Sequence, residues 1–134
     1  VMLLSHEGLS TPEVFREFDR LDAAGAPALA EPTPEEVAAL CGEPEELCHC
    51  LVNDLQGPAL RLRAELAKTI GAAKDAGALA VTLSGSGPTV AALARDAEHA
   101  RTLAATLRET PTVARAIPTH GPDCGARIES TEAI

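Results

Sequence analysis

Residues 78–93 read ALAVTLSGSGPTVAAL, two short apolar runs on either side of a turn that contains two glycines. Each run has the length and composition of a buried strand, and the turn lets the chain fold back on itself. Gly85 and Gly87 have no Cβ, so they can adopt a positive φ and let a ligand approach the backbone closely. This stretch therefore predicts two neighbouring strands joined by a tip of small residues.

The tip of this hairpin carries groups that can bind an anion. Successive N–H groups in such a turn form a concavity that suits a phosphate or a carboxylate. Ser84, Ser86 and Thr89 add hydroxyl groups around it. The pattern is neither a Walker A loop, because no Gly-Lys-Ser/Thr follows, nor a dinucleotide fingerprint, because a strand rather than a helix comes next. Taken alone, it leaves phosphate contact and a plain tight turn equally open.

Strand and helix signals continue on both sides of the hairpin. Residues 1–5 and 112–117 read as strands, and residues 125–129 are expected to extend the sheet or to form an edge. Thr11 is the expected N-cap of a first helix, which begins with a proline. Asp96 is the expected N-cap of the helix that follows the hairpin.

Three more helices are predicted between the first helix and the hairpin. Residues 33–36 read Thr-Pro-Glu-Glu, a capping box that opens a short helix. A second helix is expected over residues 44–55, and the Gly-Pro pair at 57–58 is expected to break it. A longer helix over residues 59–76 then has Leu62 on its buried stripe. The order β-α-α-α-α-β-β-α-β favours the α+β class, with an antiparallel sheet packed against helices.

Composition and charge exclude several classes of protein. The chain has 134 residues, enough for one domain with its own core. Its formal net charge of −9 argues against a nucleic-acid partner, because phosphate contacts need clustered Lys and Arg. No apolar run approaches the roughly 20 residues that a membrane-spanning helix needs. We therefore expect neither nucleic acid nor a membrane as a partner.

The four cysteines are predicted to be reduced, structural thiols. Cys48-His49-Cys50 suggests a metal site, but the segment reads as a helix, where residues two apart point about 200° away from each other. Cys41 and Cys48 are seven residues apart and fit buried apolar positions if one helical face is continuous. No metal site is therefore expected, and reduced thiols favour the cytoplasm.

Three strings in the sequence resemble a known enzyme family. LSGSGPTVAAL, residues 83–93, resembles the third conserved motif of the GHMP small-molecule kinases. GLSTPEVF at residues 8–15 and NDLQ at residues 53–56 narrow the resemblance to the C-terminal half of the 4-diphosphocytidyl-2-C-methyl-D-erythritol kinases, a family of the non-mevalonate isoprenoid route. The resemblance covers most of the chain and is weak over residues 23–45 and after Gly121.

The resemblance implies a fold, an activity and the way in which the active site would be divided between two domains. Residues 1–134 would be a ferredoxin-like C-terminal domain, a fragment of the enzyme. Residues 130–134 are expected to be disordered, because chain termini often are. The full-length enzyme would be an ATP-dependent, cytoplasmic kinase that uses Mg²⁺ and phosphorylates the 2-hydroxyl of 4-diphosphocytidyl-2-C-methyl-D-erythritol. Its missing N-terminal domain, the partner of this one, would hold the main ATP loop, the acidic base and the cytidine pocket. This fragment alone would bind no cofactor and be inactive.

The same resemblance implies which residues lie near the substrates. No catalytic residue is expected in this half, because the family's catalytic aspartate lies in the other. The positions expected near the phosphates are the hairpin tip and the start of the first helix: Ser84, Gly85, Ser86, Gly87, Thr89 and Thr11. Thr11 keeps a second interpretation, as a helix cap and nothing more. Asn53 and Asp54 are expected to satisfy backbone groups near a helix end.

Two other functions stay open at this point. One is another GHMP kinase, since the hairpin tip alone does not separate the members of that family. The other is a non-catalytic ferredoxin-like module whose glycine turn senses a small anion. The chain begins abruptly in what reads as a strand, which suggests a separated domain. The coding sequence upstream of Val1 distinguishes these possibilities, because a Gly-Leu-Gly-Ser-Ser-rich segment there favours the kinase.

Overall fold

A four-stranded sheet and six helices make up the fold over the part of the chain that the structure describes. The computed structural model describes residues 1–22, 31–39, 42–48, 50–121 and 125. In chain order the elements are β1 (Met2–Leu4), α1 (Thr11–Asp22), α2 (Pro34–Ala39), α3 (Pro44–Leu47), α4 (Gln56–Leu62), α5 (Leu66–Asp75), β2 (Ala80–Leu83), β3 (Val90–Leu93), α6 (Ala97–Leu107) and β4 (Arg115–Ile117).

The sheet is fully antiparallel, with the strand order β2-β3-β1-β4. Leu3 pairs with Val90 of β3 on one side and with Ala116 of β4 on the other, and Val90 in turn pairs with Leu83 of β2. This order makes β2 an edge strand and puts the hairpin tip at one end of the sheet. It is the arrangement of a ferredoxin-like domain, as the resemblance predicted.

The core lies between one face of this sheet and helices α5 and α6. α5 contacts β2 and β3, α6 contacts β4, and the two helices contact each other. Side chains alternate between the two faces of a strand, so the paired residues of neighbouring strands lie on the same face. The paired residues on the buried face are all apolar: Leu3, Leu83, Val90 and Ala116. They pack with the apolar stripes of the two helices, which include Leu66, Ile70, Ala73, Leu103, Ala104 and Leu107.

Several local predictions are confirmed. The Asp96 carboxylate accepts a hydrogen bond from the His99 N–H at 2.7 Å and so caps α6. Thr33 and Glu36 form the reciprocal capping box, with bonds of 3.2 and 2.7 Å. Gly77, the expected end of α5, has a φ of +91°. These signals are read correctly from the sequence because they involve residues only a few positions apart.

The helices between α2 and the hairpin differ from the prediction. α3 ends at Leu47 rather than near residue 55, and Val52 is 79% exposed. The Gly-Pro pair at 57–58 lies in the first turn of α4, where a missing N–H leaves no helical bond unmade, so it does not break a helix. The predicted helix over residues 59–76 is two helices, because Arg63 leaves the helical region with φ −141° and ψ 85°.

The burial of this region changes accordingly. Leu62, predicted to face inward, is 44% exposed, while Leu66 and Ile70 are buried. The last strand is shorter than predicted and begins at Arg115. The predictions for Cys41 and His49, for most of residues 125–129, and for 130–134 lie outside the described residues. In the described ranges, none of the helices is long and apolar enough to cross a membrane.

Candidate functional site

The hairpin tip between β2 and β3 is a compact turn closed by its own backbone. The Ser84 N–H donates to the Thr89 carbonyl at 2.9 Å, and the Gly87 N–H donates to the Ser84 carbonyl at 3.0 Å. Gly85 and Gly87 have φ values of +57° and +78°. Both glycines therefore adopt the left-handed conformation that the sequence predicted for them.

The two glycines have different surroundings. A Cβ placed on Gly85 would have no described atom within 4 Å, whereas a Cβ on Gly87 would lie 2.8 Å from Cδ2 of Leu83, a core residue. Both were expected to let a ligand approach the backbone. Of the two, Gly85 has open space beside it for a ligand, whereas Gly87 is needed for the turn to pack against the core.

Thr11 lies beside the hairpin tip although it is 75 residues away in sequence. Its hydroxyl and that of Ser86 form a hydrogen bond of 2.8 Å. The prediction that Thr11 is the N-cap is wrong by one residue, because the Ser10 carbonyl accepts the first helical bonds of α1, from Glu13 and Val14. Thr11 is thus the first residue of the helix, and its hydroxyl faces the turn. Since a helix N-terminus carries partial positive charge, it adds to the turn's preference for anions.

Two more side chains also hold the turn, one from the segment between α3 and α4 and one from the first residue of α4. The Asn53 Nδ2 group donates to the carbonyls of Leu83 and Gly85, both at 2.8 Å. The Gln56 Oε1 atom accepts from the Leu83 N–H at 3.1 Å. Asn53 Oδ1 accepts from the Leu55 N–H at 3.0 Å, which confirms the backbone role expected for Asn53 near a helix end.

The sequence does not predict the hydrogen bonds that Asn53 donates to the hairpin tip or the one that Gln56 accepts from Leu83. Both residues belong to the string NDLQ, which the sequence singles out. Which groups they bind depends on which strand end lies beside this segment, and that is decided by the tertiary structure. Asp54, the other residue of the pair considered, is exposed. No group in the described ranges donates a hydrogen bond to its carboxylate.

The turn presents unused donors on its exposed side. Across the described part of the chain, no group accepts a hydrogen bond from the N–H of Gly85 or of Ser86. Ser84 and Gly85 are exposed, while Ser86, Gly87 and Thr89 are half-buried. Two neighbouring N–H groups with hydroxyls around them match what phosphate oxygens require.

An ion pair fixes the loop that leads into α1. The Arg63 guanidinium donates to the Glu7 carbonyl at 2.9 Å and lies 3.2 Å from the Glu7 carboxylate. Its side chain is only 17% exposed. This contact ties the end of α4 to the loop that leads to Thr11, which helps to place that residue at the hairpin tip.

The cysteine segment differs from its predicted geometry. Because α3 ends at Leu47, Cys48 and Cys50 do not lie within one helix, and the helical separation predicted for their side chains does not apply. Cys48 is a free thiol that donates to the Glu45 carbonyl, and Cys50 is also free. Within the residues described, no three His, Cys, Asp or Glu side chains lie close enough to hold a metal ion.

Comparisons with known proteins agree on one family. A family model described as "GHMP kinases C terminal" matches residues 26–112. The 4-diphosphocytidyl-2-C-methyl-D-erythritol kinase of Thermobifida fusca (strain YX) is 48% identical over 131 residues, 96% of this chain and 41% of that protein. The protein of the same name from Salinispora tropica is 45% identical over 130 residues, with coverage of 96% and 41%.

A solved structure is also similar to this chain. The crystal structure of a 4-(cytidine 5'-diphospho)-2C-methyl-D-erythritol kinase matches with a TM-score of 0.61 at 31% identity, covering 80% of this chain and 37% of that one. This chain therefore spans about two fifths of the length of the relatives it matches.

Proposed function

The chain belongs to the GHMP kinases, and from that membership we propose that it is the C-terminal domain of an ATP-dependent 4-diphosphocytidyl-2-C-methyl-D-erythritol kinase. The observation that carries the proposal is the 48% identity over nearly the whole chain to a protein of that name. The reaction is the transfer of the terminal phosphoryl group of ATP to the 2-hydroxyl of the cytidylyl substrate.

The hairpin tip is the part of this chain that would contact the phosphates. Phosphoryl transfer depends mostly on positioning and on stabilising negative charge. The free N–H groups of Gly85 and Ser86 are donors that need no reorganisation, since the turn holds them in place before a ligand arrives. The hydroxyls of Thr11, Ser84 and Thr89 lie on the same turn or beside it and would add further donors.

The rest of the machinery would lie in an N-terminal domain that this chain does not include. That domain would supply the acidic base, the main ATP loop and the cytidine pocket. Mg²⁺ would be held mainly by the nucleotide phosphates, as this ion often is in kinases. We retain the cytoplasm as the compartment, since the free thiols of Cys48 and Cys50 suit reducing conditions.

The proposal is tested first on the gene and then on the protein. The coding sequence upstream of Val1 should encode a Gly-Leu-Gly-Ser-Ser-rich segment in the same reading frame. The longer protein should phosphorylate the cytidylyl substrate with ATP. The chain of 134 residues alone should fold but show no turnover, because lost positioning alone can be worth roughly 7–11 kcal/mol.

Three results would contradict it. Turnover by the isolated chain at the rate of an intact kinase would show that this domain is not half of a site. Turnover of another small alcohol in preference to the cytidylyl compound would favour a different GHMP kinase. An unrelated domain or a stop codon upstream would favour a non-catalytic module that senses an anion.

A further inference from the structure

The side-chain amide of Asn53 lies between two carbonyl oxygens at the hairpin tip. Its Nδ2 group uses both hydrogens, one on the Leu83 carbonyl and one on the Gly85 carbonyl, each at 2.8 Å. Its Oδ1 atom accepts from the Leu55 N–H at 3.0 Å. An amide has two donors and an acceptor oxygen, so Asn53 uses every kind of bond available to it. All of these bonds go to the backbone.

These bonds determine how one peptide unit of the turn is oriented. The Gly85 carbonyl and the Ser86 N–H belong to the same planar peptide unit, and in a trans peptide they point in opposite directions. Holding the carbonyl towards Asn53 therefore directs the N–H of Ser86 away from it. The preceding unit is fixed in the same way, because the Gly87 N–H holds the Ser84 carbonyl at 3.0 Å. Both unused N–H groups thus have defined directions.

We propose that Asn53 is a positioning residue, which holds the Gly85 carbonyl so that the Ser86 N–H points at a phosphate of the bound nucleotide or substrate. The inference rests on the function proposed above and deepens it. Asn53 itself does not contact the phosphate. It acts through the peptide unit, and without it that unit can rotate and present its carbonyl oxygen to the anion instead.

Asn53→Asp distinguishes the positioning role from the local hydrogen bond that Asn53 accepts from the Leu55 N–H. Aspartate has nearly the same shape and keeps an oxygen that accepts from the Leu55 N–H. It loses both N–H donors and places negative charge against two carbonyl oxygens. Hydrogen-bond acceptors around a carboxyl group favour its protonated form, and the protonated carboxyl group of this variant would regain one donor. The defect should therefore become smaller at lower pH.

Asp54→Asn is the matched control. It is the reverse exchange at the next residue, and Asp54 is exposed, with no hydrogen bond to its side chain among the residues described. Asn53→Ser is a second, neutral variant. Its hydroxyl can still accept a hydrogen bond from the Leu55 N–H, while the two amide donors to Leu83 and Gly85 are lost.

The experiment uses the longer kinase, with kcat and KM for ATP measured at pH 8 and pH 6 alongside thermal unfolding. For Asn53→Asp we expect a cooperative unfolding transition and a kcat/KM lowered about 10- to 100-fold at pH 8, the cost of misplacing one oriented group. At pH 6 the gap from wild type should narrow. Asn53→Ser should show a loss that does not depend on pH, and Asp54→Asn should keep wild-type kinetics.

Wild-type kcat/KM in a folded Asn53→Asp enzyme would overturn the inference. So would losses of kcat/KM in both variants that match their losses of thermal stability, with the loss in Asn53→Asp the same at pH 8 and pH 6, because these would show that Asn53 only stabilises the fold. If Asn53→Asp does not fold, the neutral variant decides by the same comparison of kcat/KM with stability. A wild-type enzyme with no turnover on the cytidylyl substrate would overturn the proposed function, and this inference with it. An active wild type with an unaffected variant overturns this inference alone.

Discussion

Gly85 and Gly87 should respond differently to the same substitution, alanine. At Gly85 the added methyl group meets no described atom within 4 Å, so the cost is the left-handed backbone alone. An L-residue in that conformation costs about 1–2 kcal/mol. Alanine also restricts the unfolded chain, which offsets about 0.4–1 kcal/mol of this. We therefore expect Gly85→Ala to lower the free energy of unfolding by about 1 kcal/mol.

At Gly87 a steric term is added to the same backbone cost. The new Cβ would lie 2.8 Å from Cδ2 of Leu83, closer than carbon atoms can approach. Leu83 is 2% exposed, so its side chain has little room to move. Overpacking of this kind costs about 1–3 kcal/mol. Gly87→Ala should therefore lose about 2–4 kcal/mol in total.

Urea unfolding of the purified chain, followed by circular dichroism, measures the difference. With a cooperative wild-type transition and an unchanged slope, the Gly87→Ala midpoint should lie clearly below that of Gly85→Ala. In the longer kinase, Gly85→Ala should lower kcat/KM more than Gly87→Ala does, since it places a methyl group where a phosphate would approach. Equal midpoints for the two variants would refute the steric argument. An unaffected kcat/KM in Gly85→Ala would refute the assignment of the open side of the turn to the ligand.

Three further predictions concern the core, a helix cap and the Thr11 hydroxyl. Leu103→Ala should cost about 2–5 kcal/mol in urea unfolding, whereas Leu62→Ala, at an exposed position, should cost less than about 1 kcal/mol; similar losses would contradict the burial assigned to them. The bond from the His99 N–H lowers the pKa of Asp96, so this cap stabilises the fold above the unfolded-state pKa of about 3.9 and its contribution disappears as the pH falls through the lower folded pKa. Asp96→Asn should remove that part of the pH dependence of thermal unfolding between neutral and acid pH, and an unchanged profile would count against the cap. Thr11→Val in the longer kinase should raise the KM for ATP with only a small loss of thermal stability, because its bond to Ser86 is exposed, and Thr11→Ser should restore the KM; a KM that does not change would remove Thr11 from the site.

The sequence was most reliable where a signal and its consequence lie close together in the chain. The strand pair around the hairpin, the cap at Asp96 and the capping box at Thr33 were all predicted and are all present. Each depends on residues within a few positions of one another, so local chemistry decides it. The motif strings identified the family for the same reason, since each is a short run of neighbouring residues.

The errors fall where distant contacts compete with local propensity. An apolar stripe predicted one helix over residues 59–76, yet the Arg63 guanidinium bonds to Glu7, and the chain leaves the helical region at that residue. Val52 fits a helical stripe but belongs to the segment that brings Asn53 to the hairpin tip. Propensity and periodicity are weak preferences that tertiary contacts override.

The sequence by itself determined the α+β class, the glycine hairpin and the family, because composition, periodicity and short motifs are properties of neighbouring residues. Only the tertiary structure decided how the candidate site is assembled. It brings the Thr11 hydroxyl to Ser86 and the Asn53 amide to Leu83 and Gly85, over separations of 75, 30 and 32 residues. It also distinguishes Gly85, beside open space, from Gly87, which packs against the core. The physical reason is that strand register and helix packing set these contacts, and both depend on how the whole chain buries its apolar surface.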